Sequence, residues 1–143
     1  MVDEGIVTSK LRELAEKMGR VRFYCPLDVS VLEQDLTALD LVSFNLMLAI
    51  QSCLDIANHL ISDEGWVPTG SLAGNIRRLR ERSVLSEETT EALSKAVGLR
   101  NIIAHGYASA DPEQIYRAAT VGLADLERFG DEVGAWMAKR LGL

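Results

Sequence analysis

The fold is decided by residues 46–62, which read LMLAIQSCLDIANHLIS. Apolar side chains surround this segment on nearly every side, so the helix it predicts is a central one covered by other helices. It also falls short of the roughly 18 uninterrupted apolar residues that a bilayer span needs. Polar residues interrupt it at Gln51, Ser52, Asp55, Asn58 and His59. We therefore expect a core helix and no association with a membrane.

The polar residues of this helix are ordered along it. Asn45, Ser52, Asp55 and His59 follow one another at steps of seven, three and four, so they line a single stripe. A polar stripe on a buried helix has to find hydrogen-bond partners or stay wet. His59 has two possible roles. The simpler one is a core histidine bonded to Asp55 one turn earlier, and the other is a direct catalytic role.

Helix signals continue on both sides of the central segment. Before it, a helix is predicted from Val7 to Tyr24 and is ended by Pro26. Asp28 or Ser30 can cap the segment that runs on to Ser62, either as one long bent helix or as two.

After the central segment, a loop from Asp63 to Gly70 leads to a short helix over residues 71–82. Ser86 is the expected N-cap of a helix that ends at His105 and Gly106. Asp111 and Pro112 then start a last helix that is predicted to run to Leu141.

These elements predict an all-α protein, an antiparallel bundle of about five helices in one domain over residues 1–143. No alternating strand pattern of useful length occurs in the sequence. The helices that start near Leu39 and Glu87 carry more apolar residues than one bundle needs, so we also expect a homodimer.

Charge is unevenly distributed along this chain of 143 residues and net charge −6. Residues 23–76 contain seven acids and no Lys or Arg, whereas Arg77, Arg78, Arg80 and Arg82 against Glu81 give a local charge of +3. These arginines form either a solvated helix face or a contact for polyphosphate or an acidic partner. The overall acidity predicts weak nonspecific affinity for nucleic acid.

The cysteines and the N-terminus indicate a reducing compartment. Cys25 and Cys53 lack a zinc-binding spacing and are expected to be small buried hydrophobic residues. Residues 1–10 carry acids and show no basic start followed by an apolar block, so no secretory signal is expected. A cytoplasmic location is the prediction.

The candidate site is the segment 100–107, which reads RNIIAHGY. Arg100 supplies a planar fork that matches phosphate oxygens, and His105 can take and give a proton near neutral pH. Asn101 lies one turn before His105 on the same face and could fix the orientation of its imidazole. Gly106 lets the chain leave the helix, so that the Tyr107 hydroxyl is expected close to His105. The alternative is an ordinary helix end with a surface Arg, a His that complements the helix dipole and a packed Tyr.

Three segments of the chain resemble the HepT toxins of the HEPN superfamily. They are the Arg-Asn-x-x-x-His-x-Tyr segment, LMLAIQSCLDIANHLIS at 46–62 and ADPEQIYRAA at 110–119, and the resemblance extends from Leu39 to Phe129. In that family an Arg, four residues and a His form the ribonuclease signature, which corresponds to Arg100 and His105. The added tyrosine corresponds to Tyr107.

The resemblance implies a HEPN-like dimer whose two motif helices meet in a shared cleft and cleave RNA, such as a tRNA or an mRNA, without a metal or cofactor. Arg100 and His105 would be catalytic with Asn101 in support, and Asp55 and His59 are candidates for a surrounding layer of contacts. One departure is Gly106, where the family often has a charged residue.

The resemblance also implies a partner, an antitoxin of the minimal nucleotidyltransferase (MntA) type in a type VII toxin–antitoxin system. This enzyme would transfer AMP from ATP, with Mg²⁺, onto Tyr107 and so block the site. ATP and Mg²⁺ then belong to the partner's reaction. The alternative functions are a noncatalytic HEPN module that binds a nucleotide or a partner, and a purely structural bundle.

Overall fold

A computed structural model describes residues 3–106 and 110–142 of the chain. These residues form seven helices and no strand, which confirms the all-α prediction. The helices are α1 (Glu4–Tyr24), α2 (Val29–Gln34), α3 (Leu36–Asp63), α4 (Leu72–Glu81), α5 (Glu87–His105), α6 (Pro112–Ala119) and α7 (Leu123–Arg140).

Helix α3 is the centre of the bundle, as its apolar sequence predicts. It contacts each of the other six helices of the described chain. Among its side chains, Leu46, Ile50, Leu54 and Leu60 are fully buried. By length and composition alone α3 could cross a membrane, but 44% of its most apolar 18-residue window is buried inside the protein. Its buried residues pack against the other helices of the bundle.

Short polar side chains start the helices. Asp3, Asp28, Asp35, Ser71, Ser86 and Asp111 each accept a hydrogen bond from a backbone N–H in the first turn of the helix that follows. Each such bond satisfies a donor that the helix itself leaves open. The predicted caps Asp28, Ser86 and Asp111 are thereby confirmed.

The described ranges hold seven helices where about five were expected, because two predicted segments are divided. The first is divided at Asp35, which ends α2 and whose carboxylate caps α3 through the Ala38 N–H at 3.1 Å. This resolves the choice between one helix and two that the sequence left open. The prediction of one unbroken helix from Pro112 to Leu141 is wrong.

The break between α6 and α7 lies at residues 120–122. The Thr120 hydroxyl donates to the Tyr116 carbonyl at 2.7 Å, which satisfies an acceptor at the end of α6. A Cβ at Gly122 would lie 2.7 Å from the Ala118 carbonyl oxygen, so only glycine allows this close approach. The chain therefore turns here although its apolar spacing continues.

The polar stripe of α3 is satisfied in two different ways. Asn45 and Ser52 are buried and donate back to the carbonyls of Leu41 and Leu48, at 2.8 and 3.1 Å. His59 does not pair with Asp55 as expected. Its Nε2 lies 3.0 Å from Asp63 Oδ2, one turn later along the same face of the helix. Both neighbours stand four residues from His59, so helical spacing alone does not distinguish them.

Helix α5 is anchored at its N-terminus by α7. The carboxylate of Glu132 accepts hydrogen bonds from the Ser86 backbone N–H at 2.6 Å, from the Ser86 hydroxyl at 3.0 Å and from the Thr89 hydroxyl at 2.6 Å. A negative charge at this end also complements the helix dipole. The start of the helix that carries the motif is thus fixed by a side chain from another helix.

Both cysteines are free thiols. Cys53 is fully buried, and burial raises the pKa of its thiol far above the ordinary value. Cys25 is only partly buried, and desolvation raises its pKa as well. The expectation of a buried cysteine is confirmed for Cys53, whereas Cys25 keeps partial access to solvent.

Three of the four clustered arginines engage neighbouring side chains. Arg78 Nη1 lies 2.8 Å from Glu81, and Arg80 Nη2 lies 3.6 Å from Glu87. The guanidinium of Arg82 stacks 5.4 Å from the ring centroid of Trp66. These contacts favour the interpretation of the cluster as a helix surface held by local pairs.

Candidate active site

The candidate site occupies the C-terminal turns of α5. The helix ends at His105, because Gly106 adopts a left-handed conformation with φ 62° and ψ 20°. Glycine takes this conformation without the steric cost that a Cβ would impose. The predicted helix end is confirmed, and it leaves His105 exposed on the last turn.

Arg100 is held by two hydrogen bonds. Its Nε donates to Gln51 Oε1 of α3 at 2.9 Å, and its Nη1 donates to Asn101 Oδ1 at 3.1 Å. A guanidinium has five N–H donors in one plane. The other three make no hydrogen bond to the part of the chain that the structure describes, and the side chain is only partly buried. The guanidinium is thus oriented with donors left over.

Gln51 belongs to a chain of polar contacts across three helices. Its amide Nε2 donates to Asp55 Oδ1 at 2.8 Å, one turn further along α3. Asp55 Oδ2 in turn lies 3.8 Å from Nζ of Lys10 on α1. The path from Lys10 through Asp55 and Gln51 therefore ends at Arg100.

The sequence-predicted site residues are brought together only in part. Asp55 reaches Arg100 through Gln51, whereas His59 is paired with Asp63. Asn101 receives its hydrogen bond from Arg100, and its part in orienting His105 stays a prediction. Tyr107 lies outside the described residues.

Sequence reasoning missed Gln51 and Lys10 as members of this arrangement. In the sequence, Gln51 is only an interruption of an apolar helix, and Lys10 is one of several charges on α1. The signal that could have indicated Gln51 is its spacing of four residues from Asp55, which predicts an amide–carboxylate pair on one helix face. The link to Arg100 depends on how α3 and α5 pack.

The surface beside the motif helix is of mixed charge. A groove of about 390 Å³ runs between α5, α6 and α7 and includes Leu99 but neither Arg100 nor His105. Its charged lining residues are Lys95, Arg117, Arg128, Glu88, Glu91 and Asp125. Cations and anions balance, so this groove adds no positive surface to the candidate site. Within the described ranges, no three His, Cys, Asp or Glu side chains gather as metal ligands would.

Chemically, the C-terminal turns of α5 carry an oriented cation, Arg100, and an exposed imidazole, His105. A guanidinium with free N–H groups binds anionic oxygens of phosphate or carboxylate. An exposed histidine can transfer protons near neutral pH. Together these groups suit a reaction at a phosphate diester in which a proton moves.

The same bundle occurs in solved toxin structures. One is the tri-AMPylated HEPN toxin of Shewanella oneidensis in complex with its MNT antitoxin, with a TM-score of 0.85 and 28% identity over 94% of this chain and 99% of that one. Another is a toxin–antitoxin complex with AMP-PNP, with a TM-score of 0.86 and 26% identity over 92% of this chain and 99% of that one. The class defined by fold and motif is therefore that of the HEPN toxins.

Sequence comparison gives the family. The chain belongs to the family described as ribonuclease HepT-like, whose model matches residues 11–133. Among its relatives is the mRNA nuclease HepT of Shewanella oneidensis, which is 31% identical over 108 residues, or 76% of this chain and 81% of that protein. The resemblance inferred from the motif segments is confirmed.

Proposed function

We propose that this chain is the toxin of a type VII toxin–antitoxin system and acts as a metal-independent endoribonuclease. The observation that carries the proposal is that the last turns of α5 carry both an oriented Arg100 and an exposed His105, in a member of a ribonuclease family. The relative from Shewanella oneidensis, named an mRNA nuclease, supports RNA as the substrate.

The proposed reaction is a transesterification that releases the downstream fragment with a 5′-hydroxyl. A base removes the proton of a ribose 2′-OH, and the oxygen attacks the adjacent phosphorus. The bond to the 5′-oxygen breaks as an acid protonates that oxygen, leaving a 2′,3′-cyclic phosphate. His105 and its counterpart in a second copy would be base and acid, and Arg100 would stabilise the charge that develops on the nonbridging oxygens.

A homodimer is part of the proposal, because two imidazoles are needed for this division of roles. Exposed large apolar side chains on α3 and α5 support it. Ile102 on α5 is 36% exposed and Phe44 on α3 is 54% exposed. We expect light scattering at micromolar concentration to give twice the mass of one chain, and a stable monomer would contradict this part.

Regulation by AMPylation is proposed for Tyr107. The tri-AMPylated toxin bound to its antitoxin supports this for a chain of the same fold. Phosphate groups on a residue two positions after His105 would bring negative charge to the region of Arg100 and compete with RNA for that cation. ATP and Mg²⁺ would be used by the nucleotidyltransferase partner. A cytoplasmic location is proposed with it.

RNA cleavage by the purified chain in EDTA is the test of the activity. We expect Arg100→Ala and His105→Ala to lose cleavage by at least about 100-fold, since each removes a group of the proposed transition state. Arg12→Ala, on the exposed face of α1, is the matched arginine control. This control should cleave as the unmodified chain does.

Two outcomes would contradict the activity. Equal cleavage by His105→Ala and the unmodified chain would exclude the proposed proton transfer. Absence of cleavage with retained RNA or antitoxin binding would favour the noncatalytic module. Circular dichroism of each variant ensures that lost cleavage is not lost folding.

The regulatory part is tested by intact mass after coexpression with a minimal nucleotidyltransferase of the MNT type. We expect a gain of one or more AMP units on the unmodified chain and none on Tyr107→Phe. Tyr116→Phe is the matched control, since the Tyr116 hydroxyl donates a hydrogen bond to the Leu27 carbonyl at 2.8 Å. AMP units on Tyr107→Phe would place the modification elsewhere.

A further inference from the structure

We infer that Gln51 is a positioning residue that sets the orientation of the Arg100 guanidinium, and that Asp55 sets the orientation of Gln51. This inference rests on the proposed function, because it assigns Arg100 a role at a phosphate. It begins from the bond between Arg100 Nε and Gln51 Oε1 at 2.9 Å, which joins α5 to α3.

The direction of the Gln51 amide is determined by its two neighbours. An ionised carboxylate only accepts hydrogen bonds, and a guanidinium only donates them. The amide between them therefore has one favourable orientation, with Nε2 on Asp55 at 2.8 Å and Oε1 on Arg100 at 2.9 Å. The opposite orientation would set donor against donor and acceptor against acceptor.

The far end of the chain of contacts is fixed by charge. Lys10 Nζ lies 3.8 Å from Asp55 Oδ2 and 3.4 Å from Glu13 Oε2. Its ammonium lies beside the Asp55 carboxylate, whose other oxygen accepts from the Gln51 amide at 2.8 Å. The hydrogen-bond partner of Arg100 Nε is thus the neutral Gln51 amide. The positive charge of the guanidinium therefore stays available for an anion.

A neutral partner matters for the chemistry. A carboxylate in direct contact with Arg100 would neutralise the guanidinium that has to hold phosphate oxygens. Instead, two amide oxygens fix the plane of the guanidinium without cancelling its charge. Gln51 Oε1 lies 2.9 Å from Nε, and Asn101 Oδ1 lies 3.1 Å from Nη1. The described part of the chain leaves three N–H groups for the substrate.

The experiment compares Gln51→Ala with the unmodified chain in two assays. We expect kcat/KM for RNA cleavage to fall about tenfold, because removal of a side chain that orients a functional group commonly lowers activity by about this factor. We expect the same substitution to change kcat/KM less than about twofold in an Arg100→Lys background, because lysine has no guanidinium Nε–H for Gln51 to hold. Gln34→Ala, on the exposed end of α2, is the matched glutamine control.

The second assay does not need catalysis. The Arg100 Nε–H resonance, assigned by its loss in Arg100→Lys, should exchange faster with water in Gln51→Ala and in Asp55→Asn. Asp40→Asn, at an exposed position of the same helix, should leave that exchange unchanged.

The outcomes separate the two proposals. Unchanged cleavage and unchanged Nε–H exchange in Gln51→Ala would overturn the positioning role, as would an equal tenfold loss in the Arg100→Lys background. An unmodified chain that cleaves no RNA, with exchange that responds to Gln51→Ala, would overturn the proposed function and leave the contact to Arg100 established.

Discussion

Two glycines should respond in opposite directions to the same substitution. Gly106 ends α5 with φ 62°, whereas Gly19 is an exposed position inside α1 without positive φ. Among the described residues, a Cβ added at either site meets nothing within 4 Å, so steric contact does not enter the comparison. The difference is one of backbone conformation alone.

The magnitudes follow from that conformation. An L-residue in the left-handed region costs about 1–2 kcal/mol, and Ala recovers about 0.4–1 kcal/mol through the unfolded chain. Gly106→Ala should therefore lower the free energy of unfolding by about 1 kcal/mol. Gly19→Ala should raise it by about 0.5–1 kcal/mol, since Ala favours a helix interior.

Urea unfolding followed by circular dichroism measures both changes. With an m-value of about 2 kcal/mol/M, each variant should move the midpoint by roughly 0.3–0.5 M, in opposite directions. Gly106→Asn should lose less than Gly106→Ala, because Asn visits the left-handed region more readily. Equal or greater stability of Gly106→Ala would refute the left-handed end of α5.

Two further predictions concern the thiols and the anchor of α5. Burial raises the pKa of both thiols and so lowers their thiolate fraction. In the native chain, Cys53 should therefore not react with Ellman's reagent at pH 8 and Cys25 should react slowly, whereas in guanidinium chloride both should react fully. Rapid labelling of two thiols in the native chain would contradict the fold around α3. Glu132→Gln should lower the free energy of unfolding by about 1–2 kcal/mol, because an amide cannot accept all three hydrogen bonds at the start of α5. Asp131→Asn, at the exposed neighbouring position, should change it by less than about 0.5 kcal/mol.

Features that depend on neighbouring residues were predictable from the sequence. The caps Asp28, Ser86 and Asp111 and the glycine end at Gly106 act within one turn of their own helix, so composition indicates them directly. The central position of α3 also follows, because a helix that is apolar on nearly all sides has to be covered.

Features that depend on how helices pack were not predictable. The break before α7 depends on the close approach of Gly122 to Ala118, and spacing alone continues the helix through it. The contact between Gln51 and Arg100 joins residues 49 positions apart, and it requires the register of α3 against α5. The motif residues lie within eight positions of one another, so the sequence indicates them. Gln51, which holds Arg100, lies on another helix and is not indicated by local sequence.

The contacts of α3 have a consequence for the order in which the chain can fold during synthesis. Residues 36–63 leave the ribosome before α4, α5, α6 and α7 exist, yet α3 packs against all four of them. Until those helices are made, part of a helix apolar enough to span a bilayer stays uncovered. Before α7 packs onto the bundle, the nascent chain should therefore bind chaperones or membranes. The completed bundle should not.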